Sequence, residues 1–410
     1  MKHDRTRKKH TALFFAAVII ILIAAAAVFA GKSMHKSEPE PTPTPTPAAV
    51  EPTPEPTPSP TPRPADAEGF IAEMTLEEKL MQMFIITPDA LTGVKNVTLA
   101  GNTTKNALLS NPVGGLVYFS NNIESKQQLS SMLNTTQNIY KEENGFPIFL
   151  GIDEEGGTIS RIASSGISVK QFESMAKIGA AEDYDRADEV GNTIGRYLYE
   201  LGFNLDFAPV ADVLINADNK VIGSRSFGSD AEIVSSMALS VADGLKSNGI
   251  IPVYKHFPGH GATAGDTHKG AASTSRTLAQ MEDNELFPFK FAISGGAEMI
   301  MVAHIGAPAL TGSDTPCSLS KAVVTELLRT KLEFDGIIIT DALDMDAIKE
   351  SYSSADAAVM AVEAGCDMLL MPEDYSAALS GLKSAVESGR ISEERINESV
   401  KRILSLKLSM

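Results

Sequence analysis

From residue 66 onward, short runs of consecutive apolar residues alternate with stretches whose apolar residues recur every three or four positions. Runs at 82–86, 115–119, 147–152, 204–207, 251–254, 299–303, 336–340 and 367–371 read as strands. Segments such as IFLGI, IIIT and MLLM are apolar throughout rather than at alternate positions, as expected of parallel strands covered on both faces. Between them, 126–142, 186–201, 231–247, 278–294 and 321–332 carry the period of amphipathic helices. Strand and helix in strict alternation, eight times over, predict a single α/β domain of the (β/α)₈ barrel type at 66–410. A doubly wound open sheet is the alternative, but no G-x-G-x-x-G follows the first strand.

The first sixty-five residues follow other rules. Positions 12–30 are apolar without interruption and follow the basic segment 1–11. That length approaches the roughly 20 residues a helix needs to span a bilayer, and the flanking charge would keep the N-terminus inside. The pattern predicts a transmembrane signal-anchor, with a cleavable signal peptide ending near Ala30 as the competing reading. Positions 31–65 are dominated by Pro and Thr, including PTPTPTP. Proline fixes φ and lacks an N–H, so this stretch reads as a disordered or polyproline spacer, its part 38–64 extending roughly 80 Å as polyproline II. Together these features place the domain outside the cell membrane, attached through its N-terminal helix or secreted after cleavage.

Charge and cysteine content narrow the partners. The chain carries a formal charge of −17, although residues 1–36 hold seven lysines and arginines against Asp4 alone. The remainder is more acidic still and would repel phosphate backbones, which argues against nucleic-acid binding. The two cysteines, Cys317 and Cys366, have no metal-ligand spacing and read as small buried residues.

A barrel concentrates its chemistry at the C-terminal ends of the strands, and polar residues collect there. The third strand runs into GIDEEGG, the fourth into DFAPVADV, the fifth into KHFPGHG, the sixth into AHIG and the seventh into TDALDM. Of seven histidines, the four beyond the spacer (His256, His260, His268 and His304) all lie at the ends of the fifth and sixth strands or in the loop between. That loop, 255–276, is long and glycine-rich, as active-site loops are. Within it, Asp266 and His268 are two residues apart, so a turn can set the carboxylate against one imidazole nitrogen and leave the other for proton transfer. An Asx-turn with a solvent-facing histidine satisfies the same spacing. Asp341 ends the seventh strand and either points into the barrel mouth or, like Asp344, caps the next helix. Asp153, Lys255 and His256 close buried strands, where a charge is costly without a partner.

These residues suit glycoside hydrolysis, which needs an acid at the leaving oxygen and a carboxylate at the anomeric carbon. A metal-dependent hydrolase is the chemical rival, but the H-x-H such barrels carry on the first strand is absent from QMFIIT, and no cofactor or metal is expected. A phosphorylase and a non-catalytic wall-binding barrel are the remaining alternatives.

Taken together, the motifs resemble glycoside hydrolase family 3, specifically its β-N-acetylglucosaminidase branch. The most specific element is KHFPGHGATAGDTH, joined by DEEGG, FAPVADV, GSRSFG and TDALDM, and the likeness runs from MTLEEKLMQMF to the last helix. The resemblance implies Asp341 as nucleophile and His268 as general acid and base with Asp266 as its partner. It implies Asp153, Arg161, Arg225, Lys255 and His256 as holders of the N-acetylglucosamine hydroxyls, Met345 as a pocket wall, and Asp344 as a cap. It further implies an exo-acting, retaining enzyme on N-acetylglucosamine-containing glycans such as muropeptides. One departure is Thr158, in GGTI, where the family often has arginine; Arg161 then becomes the nearby cation.

Overall fold

The computed structural model describes residues 64–267 and 270–410. The apolar run at 12–30 and the Pro/Thr-rich spacer lie outside the described residues, and so does His268. Among the described residues no helix is long and apolar enough to cross a membrane.

Eight parallel strands close into a barrel: β1 Phe84–Ile86, β2 Gly115–Val117, β3 Phe149–Ile152, β4 Leu205–Asp206, β5 Ile251–Phe257, β6 Met299–Val302, β7 Ile337–Ala342 and β8 Met368–Leu370. Each strand pairs with its neighbour in sequence, and β8 closes onto β1 through Phe84–Leu369 and Ile85–Leu370. All eight fall within or against the runs expected from the sequence. Strands β1 to β6 and β8 are buried along their whole length, and β7 until its last two residues, Asp341 and Ala342. The polar chemistry therefore begins where the apolar strand stops.

The helices form the outer ring, and their ends follow local chemistry. Asp183 accepts from the Arg186 N–H to start the helix Tyr184–Leu201, and Gly202 ends it in the left-handed conformation. This helix crosses Ala231–Ser247 at close range because glycines line the contact. A Cβ at Gly191 would sit 2.2 Å from the Val241 carbonyl oxygen.

Two helices depart from expectation. The stretch 278–294 breaks into Leu278–Glu282 and Phe287–Ser294, because Pro288 has no N–H to donate backward and is accommodated in a first turn. The segment Ala322–Lys331 winds as a π-helix, closed at its end by the Leu332 N–H on the Leu327 carbonyl. At the opposite end of the barrel from the polar loops, the last helix, Glu393–Leu408, buries Lys407. Its ammonium bonds Gln82 Oε1 at 2.8 Å and sits over the rings of Tyr140, Phe146 and Phe149.

The crossing at Gly191 yields a direct expectation. Gly191→Ala should lower stability by about 1–3 kcal/mol through overpacking, despite alanine's better helix propensity. Urea unfolding would read this, and an unchanged or raised midpoint would show that the helices do not depend on that close approach.

Candidate active site

Strand ends and the loops after them enclose a cavity of about 300 Å³ at the C-terminal mouth of the barrel. Of the site residues that the resemblance implied, seven line it: Asp153, Arg161, Arg225, Lys255, His256, Asp341 and Met345. Asp266 instead lines a neighbouring groove of about 650 Å³ that shares Ile159, Val221 and Arg225 with the cavity. Between the two stands Thr267, which faces the cavity.

The cavity wall is a network of opposite charges drawn from separate loops. Lys255 and His256 are neighbours in β5, where residues normally alternate between faces. The register of β5 against β6 shifts between Tyr254 and Phe257, and this irregularity brings both side chains to the cavity. Lys255 Nζ lies 2.8 Å from Asp153 Oδ1 and 2.7 Å from Glu155 Oε1. Arg225 grips Glu155 with two bonds, Nε to Oε2 at 2.8 Å and Nη2 to Oε1 at 2.6 Å. Arg161 stands 3.7 Å from Asp153 and 5.5 Å above the centre of the Phe119 ring. Burial alone would raise the Glu155 carboxyl, but Arg225 and Lys255 outweigh it and hold the group far below its ordinary range.

Glu155 owes its place to a two-stranded ribbon, Glu154–Gly156 with Ile159–Ser160, turned through Gly156 and Gly157 at φ of 81° and 58°. Alternation along the ribbon gives the adjacent glutamates opposite surroundings. Glu154 turns away, bonded by Ser160 Oγ, the Ile162 N–H and Tyr197 Oη, and burial among these neutral donors pushes its carboxyl up. Glu155 carries no sign of its partners in the local sequence, although period-two spacing from Asp153 places both on one side.

His256 is held from behind. Its Nδ1 lies 2.6 Å from Asp212 Oδ2, and its Nε2 lies 3.4 Å from Arg225 Nη2. Asp212 is fully buried and also accepts the His260 N–H at 2.6 Å. Burial works against its charge, but His256 chiefly overcomes this and the carboxyl stays below its ordinary value. Asp212 belongs to FAPVADV, a motif whose buried carboxylate carried no local sign of its partner.

Asp341 emerges at the end of β7 with Oδ1 on its neighbour's N–H, at 2.8 Å from Ala342 N. Burial raises its carboxyl, while the imidazoles of His304 and His256, the Ala342 N–H and Lys255 more than offset that. The balance lowers it, so at neutral pH Asp341 is an ionised carboxylate facing the cavity. His304 fixes this strand end: Nε2 donates to the Ala342 carbonyl at 2.9 Å, and Nδ1 meets Ser318 Oγ at 2.7 Å.

Asp344 requires correction. The next helix, Asp346–Lys349, follows Met345 and has no side-chain cap, so neither Asp341 nor Asp344 serves as one. Asp344 lines the cavity instead, and burial pushes its carboxyl up, opposed by Lys349. Thr158, at the position where the resemblance suggested an arginine, lies 3.5 Å from Ser224 Oγ, and Arg161 supplies the cavity's nearby cation. Among the described residues, no three His, Cys, Asp or Glu side chains converge as a metal site.

The family model for the glycosyl hydrolase family 3 N terminal domain matches residues 75–406. The chain is 31% identical over 322 residues to beta-hexosaminidase A of Pseudoalteromonas piscicida, covering 73% of this chain and 54% of that one. It is 32% identical over 355 residues to beta-hexosaminidase LpqI of Mycobacterium tuberculosis, covering 84% and 85%. Among solved structures, a glycoside hydrolase family 3 beta-N-acetylglucosaminidase from Paenibacillus sp. str. FPU-7 superposes with a TM-score of 0.76 at 37% identity. That match covers 82% of this chain and 62% of the other, so the chain spans little more than half of two of these relatives. The fold and its polar mouth define a glycoside hydrolase. The chain belongs to glycosyl hydrolase family 3.

The Glu155 pairing sets a pH dependence. Because its folded carboxyl lies below the ordinary value of 4.5, its contribution to stability is present above that pH and is lost as pH falls toward the depressed value. Wild type should therefore be more stable than Glu155→Gln at neutral pH, by roughly 3 kcal/mol for breaking a buried pair. The gap should narrow steadily below pH 4.5. Unfolding curves for both proteins across pH would show it, and a gap that ignored pH would contradict this pairing.

Proposed function

We propose that the protein is a retaining exo-β-N-acetylglucosaminidase acting on N-acetylglucosamine-containing glycans, with peptidoglycan fragments as the physiological source. The observation that carries the reading is Asp341 at the end of β7, lining a cavity of about 300 Å³ together with a fixed array of donors and acceptors. Lys255, His256, Arg225, Arg161 and Asp153 offer bonds to several hydroxyls at once, and Met345 supplies an apolar wall. The names of the relatives, beta-hexosaminidase and beta-N-acetylglucosaminidase, support the same sugar.

In this reading an Asp341 oxygen attacks the anomeric carbon while the bond to the leaving oxygen breaks. His268, oriented by Asp266, gives its proton to that oxygen, and the sugar is left as an ester of Asp341. Water then attacks the same carbon, passes one proton to His268, and frees the Asp341 carboxylate. Lys255 and the histidines keep that carboxylate charged between cycles, which is what a nucleophile requires.

The proposed location rests on residues 12–30, whose apolar composition suits a membrane anchor, with 31–65 as a spacer and 66–410 as the catalytic domain outside. Activity of the full-length protein should sediment with membranes and become soluble when 1–30 are deleted. Soluble activity from a full-length, uncleaved chain would remove the anchor.

Turnover of an aryl β-N-acetylglucosaminide by the full chain tests the activity. Asp341→Ala should lower it by about a thousandfold or more, as loss of a nucleophile does. His268→Ala should lose at least roughly a hundredfold on a substrate with a poor leaving group, while a dinitrophenyl glycoside, which departs unprotonated, loses far less in its first step. Wild-type turnover no greater than that of Asp341→Ala would end the assignment.

A further inference from the structure

The segment that leads into His268 is mounted on an unusual fixture. His260, Thr263 and Thr267 are all buried, with exposures of 2%, 0% and 2%. Thr263 Oγ1 lies 2.9 Å from the His260 carbonyl oxygen and 2.9 Å from His260 Nδ1. Thr263 thus ties the His260 ring to the backbone turn that follows it. Burial and the facing His256 ring, 5.9 Å away, both disfavour protonation of His260. Among the described residues, the group bonded to Nε2 is the Thr267 hydroxyl, at 3.3 Å. The fixture has a firm base. The His260 N–H is held by Asp212 at 2.6 Å, its carbonyl by Asn219 Nδ2 at 2.9 Å, and the Thr263 carbonyl by Asn216 Nδ2 at 3.0 Å. All three holders come from the loop after β4.

We propose that His260 and Thr267 are positioning residues for catalysis: the Thr267 hydroxyl, seated on His260 Nε2, sets the chain between Asp266 and His268 against the cavity. The proposal rests on the reading of His268 as the acid. Thr267 lies between those two residues in sequence, and its side chain is fixed to His260. Asp266 lines the outer groove and Thr267 the cavity, which makes this residue the turning point of the segment. A valine would fill the same volume without a hydroxyl, leaving Nε2 buried without this bond.

The two parts separate in one experiment on the full chain, using kcat/KM for dinitrophenyl and phenyl β-N-acetylglucosaminides. The first substrate needs no proton at its leaving oxygen, and the second does. Thr267→Val should lower kcat/KM on the phenyl substrate at least about tenfold while the dinitrophenyl substrate stays within about threefold, part of the full acid effect. Thr267→Ser, which keeps the hydroxyl, should restore most of the loss. His260→Leu should give the same split, and adding it to Thr267→Val should cost little more, because both remove one bond. Should valine not be tolerated, Thr267→Ala read on the same substrates decides. Equal losses on the two substrates, or no loss on the phenyl substrate, would overturn the positioning role. If His268→Ala itself lacked the split, the acid assignment would fail instead.

Discussion

Lys255 cannot stand alone at the inner end of a buried strand. An ammonium almost wholly removed from water, with 3% of its side chain exposed, survives there only beside Asp153 and Glu155, and Glu155 only beside Arg225. This compact set of charges comes from the end of β5 and the loops after β3 and β4. Each needs the others, so segments far apart in the chain are drawn to one place. The apolar strands beneath would form a barrel without them. The cavity, however, exists because these charges must meet.

A second tier keeps the first in orientation. Asp212 holds the ring of His256 and the backbone of His260, while His304 bonds the carbonyl beside Asp341. None of these interactions needs a substrate in order to form, so the donors and acceptors are arranged in advance. Preorganisation of this kind stabilises charge that develops during reaction at little reorganisation cost. The adjacent glutamates show how local the control is. One ribbon residue, beside arginine and lysine, is driven to ionise, while burial pushes its neighbour's carboxyl up against the hydroxyls and amides that bond it.

Legibility in the sequence followed the range of the interaction. Strands were readable because a parallel strand covered on both faces must be apolar along its length, as Ile337–Ile339 are. The single helix expected at 278–294 overlooked Pro288, whose consequence is local and was available. The role expected of Asp344 failed for another reason: an aspartate near a helix start has the chemistry of a cap, and only the path of residues 341–346 turned it into the cavity. Glu155 and Asp212 sat in quoted motifs without an assigned role, since their partners lie 70 and 44 positions away.

By itself, the sequence determined the eightfold alternation, the ends of the strands, the polar residues placed there and the apolar N-terminal run. Each of these depends on neighbours within a few positions, where periodicity and side-chain type suffice. Only the tertiary structure decided which charges face each other, which glutamate lies among cations, that the His260 ring meets Thr263 and Thr267, and that the carbonyl beside Asp341 is held by a histidine from the adjacent strand's loop. Those outcomes depend on distance and burial between residues far apart in the chain, and neither quantity exists until the barrel closes.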